Sequence, residues 1–115
     1  MTASRCLIYK ICPRPLWEAA IAAGQFEGAP VDVADGYIHF SALEQVRETA
    51  AKHFAGQEDL LLVAVDAATL AQLKWEPSRG GALFPHLYGP LPVSAALWVR
   101  PLPLNADGSH SFPLD

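Results

Sequence analysis

Apolar and polar positions along the chain switch between a period of two and a period near 3.6, with proline and glycine marking the changes. Leu7 to Ile11, an apolar run carrying Tyr9 and Lys10, predicts a strand. Pro13 and Pro15 end it and pre-set the first turn of a helix. That helix runs from about Pro15 to Ala23, with Leu16, Ala19, Ala20 and Ala23 at helical spacing, Trp17 and Ile21 widening the apolar face, and Gly24 at its C-terminal end. Gln25 to Asp35 lacks a period and reads as an irregular loop, with an extended piece near Val31 to Val33. Tyr37 to Phe40 predicts a strand entered through Asp35-Gly36. It feeds a helix capped by Ser41, with Glu44 completing a capping box and Leu43, Val46, Ala50 and Phe54 on one face until Gly56. Leu60 to Val65 predicts the next strand. Asp66 caps a short helix reaching about Leu73, Lys74 to Glu76 is extended, and Pro77 to Pro92 reads as the longest loop. Ala95 to Leu102 closes with an apolar strand, placed at an edge by Pro101 and Pro103, and the tail from Asn105 to Asp115 is expected to be loosely held.

Strands interspersed irregularly with two or three helices, without an internal repeat, predict an α+β fold with small mixed sheets, a single compact domain over residues 1–115. With 115 residues, three Trp, three Tyr and five Phe, the chain can bury a core without staples. Cys6 and Cys12 on one extended segment stand about 20 Å apart at about 3.3 Å per residue, outside disulfide reach, so both are expected to be reduced. A formal net charge of -4 with no basic cluster removes the electrostatic footprint for duplex nucleic acid or an anionic membrane. The longest apolar stretches fall far short of the roughly 20 residues a membrane span needs. The start, Met1 to Arg5 and the run that Tyr9 and Lys10 break, does not read as a secretory signal, so a cytoplasmic protein is expected.

Three segments can carry chemistry. In Gly36-Tyr37-Ile38-His39-Phe40-Ser41, alternation puts Tyr37, His39 and Ser41 on one face. An imidazole and a hydroxyl then sit beside a helix N-terminus that favours an anion. His39 is the candidate hydrogen-bond donor or general acid/base and Ser41 the anion contact, although Ser41 with Glu44 is accounted for equally well as a helix cap. In Phe84-Pro85-His86-Leu87-Tyr88-Gly89, His86 is a second proton-transfer group and Tyr88 a stacking ring, or Phe84 and Tyr88 simply anchor a loop. In Glu76-Pro77-Ser78-Arg79-Gly80-Gly81, Arg79 can clamp a phosphate, or pair with Glu76 at the surface. No pair of His, Cys or acidic residues has zinc-site spacing, so no metal is expected. A Gly-x-Ser-x-Gly turn is absent, and the His-x-Ser of His39 to Ser41 is not repeated at His86, where Tyr88 follows.

Ile8-Tyr9-Lys10-Ile11, Trp17, Asp35-Gly36-Tyr37-Ile38-His39-Phe40-Ser41 and Phe84-Pro85-His86-Leu87-Tyr88-Gly89-Pro90-Leu91 together resemble the domain-of-unknown-function family 952, over roughly Leu7 to Leu102. That family is remotely similar to the ADP-ribosyltransferase-like superfamily. The resemblance implies a split pair of small sheets around a cleft that binds NAD. It further implies that His39 stands where an aromatic stacks on nicotinamide, that the ribose contact of the first strand passes to Lys10, and that Glu76 is the candidate for the late catalytic glutamate. The leading expectation is a pocket for a phosphate-bearing or nucleotide-like small molecule, with NAD as the cofactor, serving transferase or hydrolase chemistry. The alternative is a non-catalytic binding module whose apolar edge near Trp98 to Leu104 recruits a partner or a second copy as a homodimer.

Overall fold

The computed structural model describes residues 6–114, and of Arg79 only the backbone; the Met1 to Arg5 start and Asp115 lie outside the described residues. Its centre is an antiparallel four-stranded sheet in the order β4-β1-β5-β9, from β1 (Leu7–Pro13), β4 (Ser41–Ala42), β5 (Leu60–Asp66) and β9 (Ala96–Leu102). The sheet is covered on both sides, and so β5 reads as an unbroken apolar run, buried from Leu60 to Val65. Ile8, Cys12, Leu61, Val63 and Val65 face one cluster with Trp17, Phe26, Ile38, Phe40, Leu87 and Leu91. Tyr9, Ile11, Leu60, Leu62, Ala64 and Leu102 face the other, with Val46, Ala50, Phe112 and Leu114.

The first cluster is closed by α1 (Arg14–Ala23), by β2 (Gln25–Phe26) paired with β8 (Leu91–Pro92), and by a three-stranded sheet. That sheet has the order β3-β7-β6, from β3 (Ile38–His39), β7 (Leu83–Leu87) and β6 (Leu73–Pro77), and carries the chemistry described below. The second cluster is closed by α3 (Leu43–His53) and by the chain after β9. There Ser111 N donates to Pro103 O and Gly56 N donates to Gly108 O. Among the described residues, three α-helices and three small sheets, all antiparallel, make one compact α+β domain.

Several local expectations are corrected. The loop expected over Gln25 to Asp35 contains β2 and a helix, α2 (Pro30–Asp35). Proline at its first position and Gly36 in the left-handed region (φ 91°) at its end are ordinary helix punctuation. Periodicity hid the helix because its burial is inverted, with Val31 and Val33 exposed and Asp32 buried. Gly28 is required just before it, since a Cβ there would meet Asp32 Cβ at 2.8 Å.

Ser41 does not cap α3. The capping position is Ala42, whose N–H donates to Gln45 Oε1 at 2.9 Å, while Ser41 is buried in β4, where its Oγ meets Thr49 Oγ1 at 3.0 Å. The chain leaves β3 at Phe40 and joins the other sheet at Ser41, which breaks the expected face of Tyr37, His39 and Ser41. The long loop expected from Pro77 to Pro92 is largely a β6-β7 hairpin, with Pro85 inside β7. Pro85 is tolerated because its carbonyl accepts from Phe40 N at 3.0 Å, on the side where β3 has already ended and no ladder bond requires an N–H. The helix expected after Asp66 shrinks to a single 3-10 turn, Ala67–Thr69, with Asp66 accepting from Ala68 N.

Candidate functional site

The three-stranded sheet brings two distant motifs into register. His39 of β3 lies opposite His86 of β7, and His86 lies opposite Lys74 of β6. Their neighbours Ile38, Leu87 and Leu73 point to the core, so alternation turns the His39, His86 and Lys74 row the other way. Tyr37 enters β3 from Gly36 and its ring covers the row. It stacks on His86 with centroids 4.1 Å apart, and stands 4.7 Å from His39 and 5.2 Å from Tyr88. The two imidazole centroids are 5.6 Å apart. His86 is buried under Tyr37, whereas the His39 side chain is 33% exposed.

Glu76 of β6 shares this face. Its Oε1 accepts from His86 Nδ1 at 2.8 Å and from the Tyr88 hydroxyl at 2.6 Å. The Tyr88 and His86 bonds hold the Glu76 carboxyl below its ordinary range, and the same carboxylate pushes the Tyr88 phenol up to about 12. An ionised Glu76 can only accept, so Nδ1 of His86 is the donor, and in a neutral imidazole Nε2 is then the acceptor. No buried side-chain nitrogen or oxygen among the described residues lacks a partner. Nε2 of His86 makes no hydrogen bond with the described residues.

A second carboxylate organises the other side. Asp32 of α2 is 1% exposed and accepts from Lys10 Nζ at 2.8 and 3.1 Å, from Ala29 N at 2.7 Å, from His39 N at 3.2 Å and from His39 Nδ1 at 2.6 Å. Burial by itself would raise this carboxyl, but the bonds from His39 and Lys10, the Lys10 charge and the Ala29 N–H outweigh it and hold Asp32 at about 2. His39 Nε2 lies 2.9 Å from Asp35 Oδ2, so both ring nitrogens of His39 face carboxylates.

A depressed carboxyl of this kind contributes stability that is complete above its unfolded value of 3.8 and is lost as pH falls through about 2. Urea midpoints measured between pH 5 and pH 2 should therefore register a loss at Asp32 of about 2 kcal/mol. The Asp32→Asn variant should lack that component.

The structure thus gathers His39, His86, Tyr88 and Glu76 on one face, and sends Lys10 behind it to Asp32. Ser41 is turned towards α3 instead, and the Arg79 side chain lies outside the described residues. Sequence reasoning missed Asp32 and Asp35, and did not single out Tyr37. One signal was present: Lys10 falls between Ile8 and Cys12 on the core-facing side of β1, and a lysine there demands a buried counter-charge. Cys12 shares that side, and burial pushes its thiol up to about 11, away from reactivity.

A cleft of about 420 Å³ opens beside Tyr37, lined by Glu27, Asp32, Val33, Gly36, Gly89 and Pro90 among others. A larger one of about 590 Å³ lies across the Leu87 to Pro90 segment, between Asp66, Thr69, Ser94 and Leu97. It touches none of the histidines. Among the described residues no group of three or more His, Cys, Asp or Glu is arranged to hold a metal ion, and no helix is long and apolar enough to cross a membrane.

The model of a family described as "Protein of unknown function (DUF952)" matches residues 11–99. Among solved structures, the crystal structure of Protein CC0527 from Caulobacter crescentus is 58% identical, covers 91% of this chain and 93% of that chain, and superposes with a TM-score of 0.89. A solution NMR structure of CC0527 from the same organism is 60% identical over 90% of each chain, with a TM-score of 0.81. No curated protein matches the chain.

Proposed function

Since the chain belongs to the DUF952 family, whose description carries no activity, the geometry of the site has to speak for its function. We propose that the face of Tyr37, His39, His86 and Tyr88 binds a nucleotide-like small molecule, of which NAD is one, and that His86 transfers a proton during group transfer or hydrolysis. The observation that carries this reading is the Glu76 carboxylate bonded at once to His86 Nδ1 and to the Tyr88 hydroxyl. A carboxylate behind an imidazole fixes the tautomer and stabilises the imidazolium formed when Nε2 takes a proton from an attacking hydroxyl or water.

Charge refines the ligand. Asp35 and Glu76 stand at the face, and the charge of Lys10 is already met by Asp32. Electron-rich tyrosine rings and carboxylates favour a planar, electron-poor heterocycle and hydroxyl donors such as those of a ribose, and disfavour a phosphate close to the imidazoles. The phosphate end of such a ligand belongs further out, near Lys74, whose Nζ is 5.1 Å from the centre of the Tyr88 ring. This reading keeps the nucleotide and moves its anion away from Ser41.

NAD, ADP-ribose and AMP titrated into isotopically labelled protein test it. Saturable NMR shifts are expected at Gly36, Tyr37, His39, His86 and Tyr88. Silence at millimolar ligand would remove the nucleotide reading.

One observation favours a non-catalytic interaction module: β9 is an edge strand with Leu97, Val99 and Leu104 exposed along and just beyond it. Sedimentation equilibrium tests it, since self-association through this edge should be weakened by Val99→Lys.

A further inference from the structure

We propose that Asp32 is the positioning residue of this site: it fixes a proton on Nδ1 of His39 and holds the ring against Tyr37 and beside His86. The proposal rests on reading that face as a ligand site, and its geometry is independent of any ligand. Asp32 Oδ1 takes both the backbone N–H of His39 at 3.2 Å and its ring Nδ1 at 2.6 Å. One oxygen holding both groups of one residue sets the ring's direction relative to its own backbone, and a carboxylate that only accepts requires the proton to be on Nδ1.

Asp35 stands three residues on, on the same side of α2, and meets the other ring nitrogen at 2.9 Å. Asp35 thus adds a second carboxylate at the far end of the imidazole without a hydrogen bond to it, and the direction of the ring is set by Asp32. With Nδ1 and the backbone N–H both taken by Asp32, the His39 ring is a fixed wall of the site.

The helical turn is itself tied down. Asp32 Oδ2 accepts from Ala29 N at the start of α2, and the ammonium of Lys10 reaches across from β1 to both oxygens. The wall of the site is thereby registered to the central sheet through a single buried carboxylate. A lysine and an aspartate present only to fill the interior would leave the four donor groups gathered on one carboxylate unexplained. Two of those donors, the backbone N–H and the ring Nδ1, belong to His39, which lines the face.

The test needs no ligand. In the native protein, the Nδ1 proton of His39 should give a protected downfield imidazole resonance, with ring-to-ring NOEs between His39 and Tyr37. Absence of that resonance overturns the proposal whatever any variant does. In Lys10→Met/Asp32→Ala, which removes both buried charges together, the resonance and the His39 to Tyr37 NOEs should be lost. The Tyr9 to Trp98 ring contact, 6.0 Å apart in the central sheet's other layer, should persist and report an intact fold. Survival of the resonance in that variant also overturns the proposal. If no nucleotide binds the native protein, the ligand reading fails by that measurement, while the imidazole signals still decide what Asp32 does.

Discussion

Asp32→Ala is expected to cost about 3–5 kcal/mol of folding free energy, the range for breaking a buried ion pair by removing one partner. Lys10 Nζ would be left in the interior without its counter-charge, and the N–H groups of Ala29 and His39 would lose their acceptor. In a domain of this size such a loss lowers Tm on the order of 10–20 °C. Removing both charges together strands neither, so Lys10→Met/Asp32→Ala should recover most of the loss. Thermal and urea unfolding of the two variants decide the matter. An Asp32→Ala protein within about 1 kcal/mol of the native one would mean that water or a shifted side chain reaches the pair. A double variant no better than the single one would place the cost in the lost backbone bonds rather than in the stranded lysine.

The second large effect is expected at His86. For a nucleotide that the protein binds and turns over, His86→Gln should lower kcat by about 10² to 10⁴, the usual contribution of a positioned acid or base. Glutamine keeps a hydrogen-bonding group near Glu76 but cannot pick up a proton from an attacking group, so binding should change far less than turnover. Glu76→Gln should lower kcat less, because the imidazole remains and only its orientation and the stabilisation of its charged form are lost. Steady-state kinetics of the three proteins separate the roles. A kcat unchanged in His86→Gln would leave His86 a packing group beneath Tyr37 and move the chemistry elsewhere. His39→Gln provides the contrast: with Nδ1 held by Asp32, its effect should fall on affinity through the wall it forms, rather than on the proton-transfer step.

Ser41, expected as an anion contact, is buried, and its hydroxyl meets that of Thr49. At α3 the Ala42 N–H is taken by Gln45, whose amide nitrogen in turn donates to Leu83 O of the β6-β7 hairpin. The start of the helix is thus joined to the site layer by a side chain. Ser41, paired with Tyr9 in the central sheet, faces the opposite layer from Lys10.

Much of this protein was legible from residue order, because it depends on preferences that act over a few neighbours. Leu60 to Val65 is legible as a strand, Pro15 to Ala23 as an amphipathic helix between prolines and a glycine, and β9 as an edge strand through Pro101 and Pro103. The two histidine segments stood out for the same local reason, polar rings within short apolar runs. Contacts between residues far apart in the chain were not legible. Lys10 and Asp32 are 22 positions apart, and Glu76 meets His86 only because the hairpin sets Lys74 opposite His86 and Glu76 opposite Phe84. A shift of one residue in that register would carry Glu76 to the other face. The helix at Asp32 escaped notice because burial there follows charge pairing, which a pattern of apolar positions does not encode. Where a side chain is buried for its hydrophobicity, spacing along the chain reveals it; where it is buried for a partner, the partner must first be brought to it by the fold.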